Sequence, residues 1–268
     1  MKKLGIDTGG SFTRIWDGQS EISKLLTPRN YGSYLRLLKH EILKYTPVQS
    51  LVIALPSAIE EQCIFNAPNL GKSWCDKDIL SDLHNILPEI DKISIIQDTE
   101  AAVYGIMNYE GIESKPAMVI TLSTGIGGAL VLEDFIKPLE IGHMIVNISG
   151  QNMKCSCGQI GCVEADLSGS GILRRTGVKP EKLFDLEFWC NYGKELGRFL
   201  SILVPLFRLK LVILIGGITN KHEFFLEQTK QHLNDNLKYI KPPEIRISSL
   251  VDKAGVYGAY WLNSVLNK

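Results

Sequence analysis

Leu4-Gly5-Ile6-Asp7-Thr8-Gly9-Gly10-Ser11 is an apolar run that ends on an acidic residue and a glycine pair. Leu4 to Ile6 reads as a buried strand, Gly9-Gly10 as a turn, and Ser11 to Trp16 as the returning strand. Asp17-Gly18 marks a second turn before a third strand, Ile22 to Leu26. Residues 31–45 place Tyr31, Leu35, Leu38, Ile42 and Leu43 at helical spacing, giving one face to pack on a sheet. Leu51 to Leu55 is a buried strand ended by Pro56. Ile93 to Ile96 is another, running into a helix that begins near Thr99. Strands alternating with helices predict an α/β sheet with parallel pairs, whose ligands bind beyond the carboxyl ends of the strands.

The opening pattern recurs further along the chain. Ala117 to Leu122 is a strand, Gly125-Ile126-Gly127-Gly128 a turn, and Ala129 to Leu132 the return. This is an internal repeat of architecture, with weak identity between the halves. After residue 162 the sequence predicts a helix interrupted by Gly and Ser, then a long helix near 186–207 bent or ended by Pro205. Leu211 to Ile215 is a buried strand stopped by Gly216-Gly217. A helix near 221–237, a strand near 244–248 and a terminal helix from about residue 254 complete the pattern.

Composition narrows the function. The 268 residues carry 29 Lys+Arg and 29 Asp+Glu, for a formal charge of zero. No long-range field then draws the chain to nucleic acid or an anionic membrane. Hydrophobic content of 45% and charged content of 22% argue against disorder. No run approaches the roughly 20 apolar residues of a membrane span. In Met1-Lys2-Lys3-Leu4-Gly5-Ile6-Asp7 the acidic residue comes too early for a secretory signal. Six cysteines, three of them between 155 and 162, fit a reducing, cytoplasmic compartment and a metal better than a disulfide framework.

Four groups of residues carry candidate chemistry. In Asp7-Thr8-Gly9-Gly10-Ser11 the glycines expose amide groups as an anion nest, and Asp7 is a candidate holder of hydrated Mg²⁺. The alternative is a hairpin turn with a solvated Asp. Ser123-Thr124-Gly125-Ile126-Gly127-Gly128 repeats the device, so two turns are available to grip a polyphosphate, and neither is a Walker loop. At Gln97-Asp98-Thr99-Glu100-Ala101-Ala102, Asp98 is either a helix N-cap or a general base that takes a proton from a hydroxyl. His143, Cys155, Cys157 and Cys162 make a three-sulfur, one-nitrogen set suited to a closed tetrahedral Zn²⁺ site, against the alternative of buried reduced thiols. Glu140 and Glu164 flank that set and are ligand-binding candidates by position alone.

Together these segments resemble the ROK sugar kinases of the actin/hexokinase/Hsp70 fold group. The likeness rests on Gly5 to Ser11, on Ala67-Pro68-Asn69-Leu70 leading to Trp74, and on Asp98 with Ala101-Ala102. It continues through Ser123 to Gly128, Glu140-Ile141-Gly142-His143, Cys155 to Glu164, Ile215-Gly216-Gly217-Ile218 and Asp252 to Ala259. The resemblance implies a two-domain actin-like ATPase (ribonuclease H-like) fold with a cleft between the domains. A smaller domain would span 1–115, joined by the C-terminal helix 254–268, and a larger one 116–253. ATP-Mg²⁺ would be held by Asp7, Gly9, Gly10, Ser11, Thr124, Gly125 and Gly127, with Gly216 and Gly217 near the adenosine. Asp98 becomes the base, and Asn69, Gln97, Asp98, Glu140, His143 and Glu164 surround the sugar. One ring nitrogen of His143 would bind zinc while the other faces the sugar, so the metal fixes the imidazole's orientation.

Several positions depart from the family pattern. Gln97 replaces the usual Asn, Phe12 stands where Lys is common, and residues 133–139 form a short segment without the usual glycines. Ala129 and Ile215 also replace glycines. The expected reaction is transfer of the ATP γ-phosphate to a hexose hydroxyl, the 6-hydroxyl of glucose by default. The alternatives are an N-acetylmannosamine or N-acetylglucosamine kinase, and a non-catalytic sugar-binding relic. ROK repressors carry a DNA-binding helix-turn-helix ahead of the first strand, for which a strand starting at residue 3 leaves no room. By analogy with the family, a homodimer is expected.

Overall fold

The computed structural model describes residues 2–60, 63–67, 69–133 and 135–266. Pro68 and Asp134 of the stretches quoted above, and the chain ends at 1 and 267–268, lie outside the described residues. The chain divides into two units, Met1–Gly111 with Lys253–Lys268, and Ile112–Asp252.

In the first unit β1 (Lys2–Thr8), β2 (Phe12–Trp16) and β3 (Glu21–Leu26) form an antiparallel meander. After α1 (Tyr31–Leu43), β4 (Val48–Leu55) lies parallel to β1 on its other side. A small separate sheet of β5 (Ala58–Glu60), β6 (Cys63–Asn66) and β7 (Lys77–Asp78) follows, then α2 (Ile79–Ile86). β8 (Lys92–Gln97) returns parallel to β4 and leads into α3 (Asp98–Tyr109), giving the order β3-β2-β1-β4-β8. Leu51 to Leu55 are all inaccessible to solvent, as expected of a central strand covered on both faces. Asn30 starts α1 by accepting the Ser33 N–H at 2.9 Å, and Tyr34, Leu38 and Ile42 bury one helix face.

α3 packs against the C-terminal helix (Ala254–Leu266) with backbones in contact: a Cβ on Gly258 would lie 1.6 Å from the Ala101 carbonyl oxygen. A Cβ on Gly105 of α3 would likewise lie 2.2 Å from the Ala254 carbonyl oxygen, so the two helices meet where both lack side chains.

The second unit repeats the arrangement. β9 (Ala117–Leu122), β10 (Ile126–Val131) and β11 (Ile136–Leu139) form a meander. They are followed by α4 (Val163–Leu167), α5 (Gly169–Thr176) and α6 (Leu186–Phe207). β12 (Leu211–Ile215) pairs parallel to β9, and after α7 (His222–Asn236) β13 (Glu244–Ile247) pairs parallel to β12. The order β11-β10-β9-β12-β13 matches that of the first sheet, so the internal repeat is one of topology.

Two helical stretches of the second unit follow the expected pattern. The long helix spans the expected 186–207, with Pro205 inside its last turn, and stops at Arg208 in the left-handed conformation (φ 51°). Pro205 removes one amide donor close to the helix end, while buried Leu203 and Val204 anchor that turn. The interruption after Cys162 is Ser168, which separates α4 from α5 and caps α5 by accepting the Gly171 N–H at 3.0 Å.

Gly258→Ala should lower stability by roughly 2 kcal/mol or more through overpacking. Gly32→Ala, in α1 with no atom nearer than 3.5 Å to the added methyl, should be neutral or stabilising. Thermal or urea unfolding of the two variants checks the contrast.

Candidate functional site

Strand register brings the acidic candidates of the first unit to one sheet end. Asp7 pairs with Ala54, Ala54 with Ile96, and Leu55 with Gln97, so Asp7 and Asp98 both stand at the carboxyl end of the parallel trio β1-β4-β8. That end is where open α/β sheets bind ligands. The Gly9 N–H closes the first turn on the Phe12 carbonyl oxygen at 2.8 Å, and the Thr27 N–H reaches the Ser11 carbonyl oxygen at 3.0 Å.

Asp98 is not the N-cap of α3. Gln97 takes that position with extended backbone and no side-chain cap bond, and Asp98 is the first helical residue, its Oδ1 accepting the Thr99 N–H at 2.7 Å. The first turn of a helix favours negative charge, which suits a carboxylate there. Gln97 Nε2 donates to the Ser57 carbonyl oxygen at 3.1 Å. The longer side chain thus bridges to the end of the neighbouring strand.

Asn69 and Gly10 meet within the same unit: a Cβ on Gly10 would lie 3.0 Å from the Asn69 carbonyl oxygen. Arg29 Nη1 donates to that same oxygen at 2.5 Å, while the Arg29 carbonyl oxygen accepts from Ser73 Oγ and Trp74 Nε1. Asp7 is seated by Gly255: a Cβ at residue 255 would lie 2.8 Å from Asp7 Cγ and Oδ2. Sequence reading gave Arg29 and Gly255 no role. The signal for Gly255 is only that it begins a helix, 248 positions from its partner in the chain. Phe12, exposed on β2, has Lys24 Nζ 4.8 Å from its ring centroid. A cation therefore stands beside the position where Lys is common.

In the second unit, β9 and β12 pair with Ile215 opposite Thr121, which brings Ser123-Thr124 and Gly216-Gly217 to the same sheet end. Gly216 (φ 98°) lies against the Leu122 carbonyl oxygen, its N–H donating to the Val251 carbonyl oxygen. Gly169 and Ser170, at the start of α5, donate N–H groups to the carbonyl oxygens of Ser123 (2.7 Å) and Thr124 (3.2 Å). Thr124 itself remains exposed, and Gly125 and Gly127 are half-buried.

The four metal candidates converge. Their ligand atoms all lie within 4.8 Å of one another. The Cys157 and Cys162 sulfurs are 3.8 Å apart, and Cys155 Sγ is 3.8 Å from His143 Nδ1. A tetrahedron with Zn–S bonds near 2.3 Å has sulfur–sulfur edges of about 3.8 Å, so the donor set fits zinc in both chemistry and spacing. Burial and the neighbouring thiols push the Cys162 thiol up to about 12 and raise that of Cys155, a cost that a bound cation would offset. The loop is held by backbone bonds from Cys155 to Gln159 (2.8 Å) and from Val163 to Met144 (3.1 Å), and by a bridge between Ile145 and Cys162.

Glu164 is buried beside the cluster. Its Oε2 accepts the Ile126 N–H at 2.9 Å, and Oε1 lies 3.3 Å from Ser156 Oγ and 3.8 Å from Cys155 Sγ. Glu140 follows β11 directly and is exposed, its carbonyl oxygen accepting the His143 N–H at 3.0 Å. Within the short segment 133–139, residues Ile136–Leu139 form the edge strand β11, which delivers Glu140 to the turn bearing His143.

Residues 32–265 match the model of the ROK family, and the chain belongs to that family. It is 28% identical to the N-acetyl-D-glucosamine kinase of Pectobacterium atrosepticum over 309 residues, covering 98% of this chain and 99% of that one. It is 27% identical to the glucokinase of Halalkalibacterium halodurans over 242 residues, 74% of this chain and 70% of that one. Among solved structures, a ROK family glucokinase from Streptomyces griseus in complex with glucose and AMPPNP superposes with a TM-score of 0.82 at 20% identity. The match covers 98% of this chain and 99% of that one. The fold is that of the actin-like ATPases.

Purified chain should carry about one zinc by elemental analysis. Cys157→Ser and Cys162→Ser should each abolish that retention after gel filtration, and a chelator should lower the melting temperature of wild type but not of these variants.

Proposed function

We propose that the chain phosphorylates the 6-hydroxyl of a hexose, with glucose as the default acceptor and Asp98 as the general base. The broader statement is that it is an ATP-dependent sugar kinase of the ROK family, as its relatives' activities and its fold support. The observation that carries the residue assignment is the placement of Asp7 and Asp98 at one carboxyl-terminal sheet end.

Phosphoryl transfer through a loose transition state needs alignment and charge neutralisation more than covalent help. Asp98 takes the proton from the attacking sugar hydroxyl. Amides of the Gly9-Gly10-Ser11 turn and of Thr124, Gly125 and Gly127 align the phosphates, and Gly216 and Gly217 border the adenosine. Asp7 would hold hydrated Mg²⁺, which supplies charge neutralisation on the phosphate oxygens. Asn69, Gln97, Glu140, His143 and Glu164 bind and orient the sugar. His143 and the three cysteines would hold zinc, which supplies a fixed imidazole orientation. With Nδ1 turned to Cys155, Nε2 is the ring atom left for a sugar hydroxyl.

An N-acetylhexosamine is the second reading, supported by the N-acetyl-D-glucosamine kinase that matches nearly the whole chain. Turnover of glucose, N-acetylglucosamine and N-acetylmannosamine, read by ADP release, ranks these acceptors. Sugar binding without ATP consumption would instead identify a non-catalytic relic. The cytoplasm is the proposed compartment, supported by six free cysteines. No helix among the described residues is long and apolar enough to cross a membrane. A homodimer is the proposed assembly, by analogy with the family.

Asp98→Asn should cut kcat by about 10²–10⁴-fold while calorimetry still detects sugar binding. Near-normal turnover would remove Asp98 from the role of base. Gly255→Ala, which displaces the Asp7 carboxylate, should lower kcat/KM for ATP by roughly 10–100-fold and leave sugar affinity intact.

A further inference from the structure

Ser57 follows Pro56 at the carboxyl end of β4, one strand away from the residue pair Gln97-Asp98. The residue is 7% exposed, and its Oγ has no hydrogen-bond partner among the described residues. Buried hydroxyls are normally satisfied, so an orphan asks for a cause. Here the backbone of the same residue is fastened: Gln97 Nε2 donates to the Ser57 carbonyl oxygen at 3.1 Å. The hydroxyl is thus presented by a braced bend, at the sheet end that carries Asp7 and Asp98.

We infer that Ser57 Oγ is a sugar ligand that sets acceptor specificity, and that Gln97, besides its proposed contact with the sugar, holds Ser57 in place through its Nε2. The inference rests on the sugar-kinase reading of the same sheet end. A serine hydroxyl offers one donor and two acceptor positions, the complement of a sugar hydroxyl. Binding gives the orphan its partner, so the contact is worth more to the complex than an ordinary exposed hydrogen bond. A site built on such a contact discriminates against an acceptor that lacks the matching hydroxyl. The extra methylene of Gln97 then has a purpose: its amide reaches across to the β4 end and fixes the bend.

The test compares wild type with Ser57→Ala in the full chain, using the best acceptor of a sugar panel and its monodeoxy analogues. Ser57→Ala should raise the sugar KM about tenfold while kcat and the KM for ATP stay within about twofold. Its melting temperature without sugar should be unchanged or higher, because the unpaired hydroxyl is gone. For one monodeoxy sugar, the one lacking the contacted hydroxyl, wild type and variant should coincide. Gln97→Asn should reproduce the rise in sugar KM. Ser57→Gly serves as the second variant if Ser57→Ala does not fold.

A sugar KM within twofold of wild type for every acceptor overturns the inference. So does a loss of stability with parallel changes in the sugar and ATP constants, which marks a structural role. If wild type consumes no ATP with any sugar, the kinase reading fails, and calorimetric sugar affinity of the same variants still decides the role of Ser57. A wild-type chain that binds no sugar at all overturns both.

Discussion

Parallel pairing of β1, β4 and β8 fixes where the acidic residues of the first unit stand. Asp7, Ser57 and Asp98 come from segments spread over about ninety residues, and only the register Asp7–Ala54–Ile96 brings their strand ends level. Because side chains alternate with period two, a slip of one residue would turn the buried Leu51, Ile53 and Leu55 of β4 to the opposite face. The packing that holds the strands in register therefore also holds the site. The C-terminal helix adds a second restraint by closing on α3 at Gly258 and on Asp7 at Gly255.

In the second unit the comparable restraint is chemical. Three thiols and an imidazole are gathered where burial disfavours thiolates, and the spacing between them is that of a tetrahedral shell. Cys155 faces His143 Nδ1 and lies beside Glu164, whose other oxygen ties to the start of β10 through Ile126. A metal in this shell would orient the sugar-facing groups without approaching the phosphate turns in sequence.

What the sequence made legible follows from the range of each interaction. Alternating apolar runs and helical periods gave the two meanders, the parallel strands and the flanking helices, because these depend on local pattern. The cysteine spacing and the glycine turns are likewise local. The small sheet of β5, β6 and β7 escaped notice because its strands are two to four residues long, too short for a period to show. The supporting residues of the site were the least legible. Arg29 meets Asn69 across 40 positions and Gly255 meets Asp7 across 248. Nothing in the local sequence of either encodes the encounter.

The departures from the family pattern have different structural answers. Phe12 is accompanied by Lys24, delivered across the β2–β3 pair, so positive charge is retained beside that position. In the short 133–139 segment, Ile136–Leu139 remain a strand of the sheet that ends directly at Glu140. Gln97 is different, because its added length creates a bond to the Ser57 carbonyl oxygen instead of restoring an old one. The change therefore acts on the wall beside Asp98, while the glycine turns and the Asp7 seat keep their construction. Under the proposed assignment, changes confined to that wall would alter which acceptor is held more readily than how the phosphate moves. On that reading, the individuality of this chain would lie in its choice of sugar.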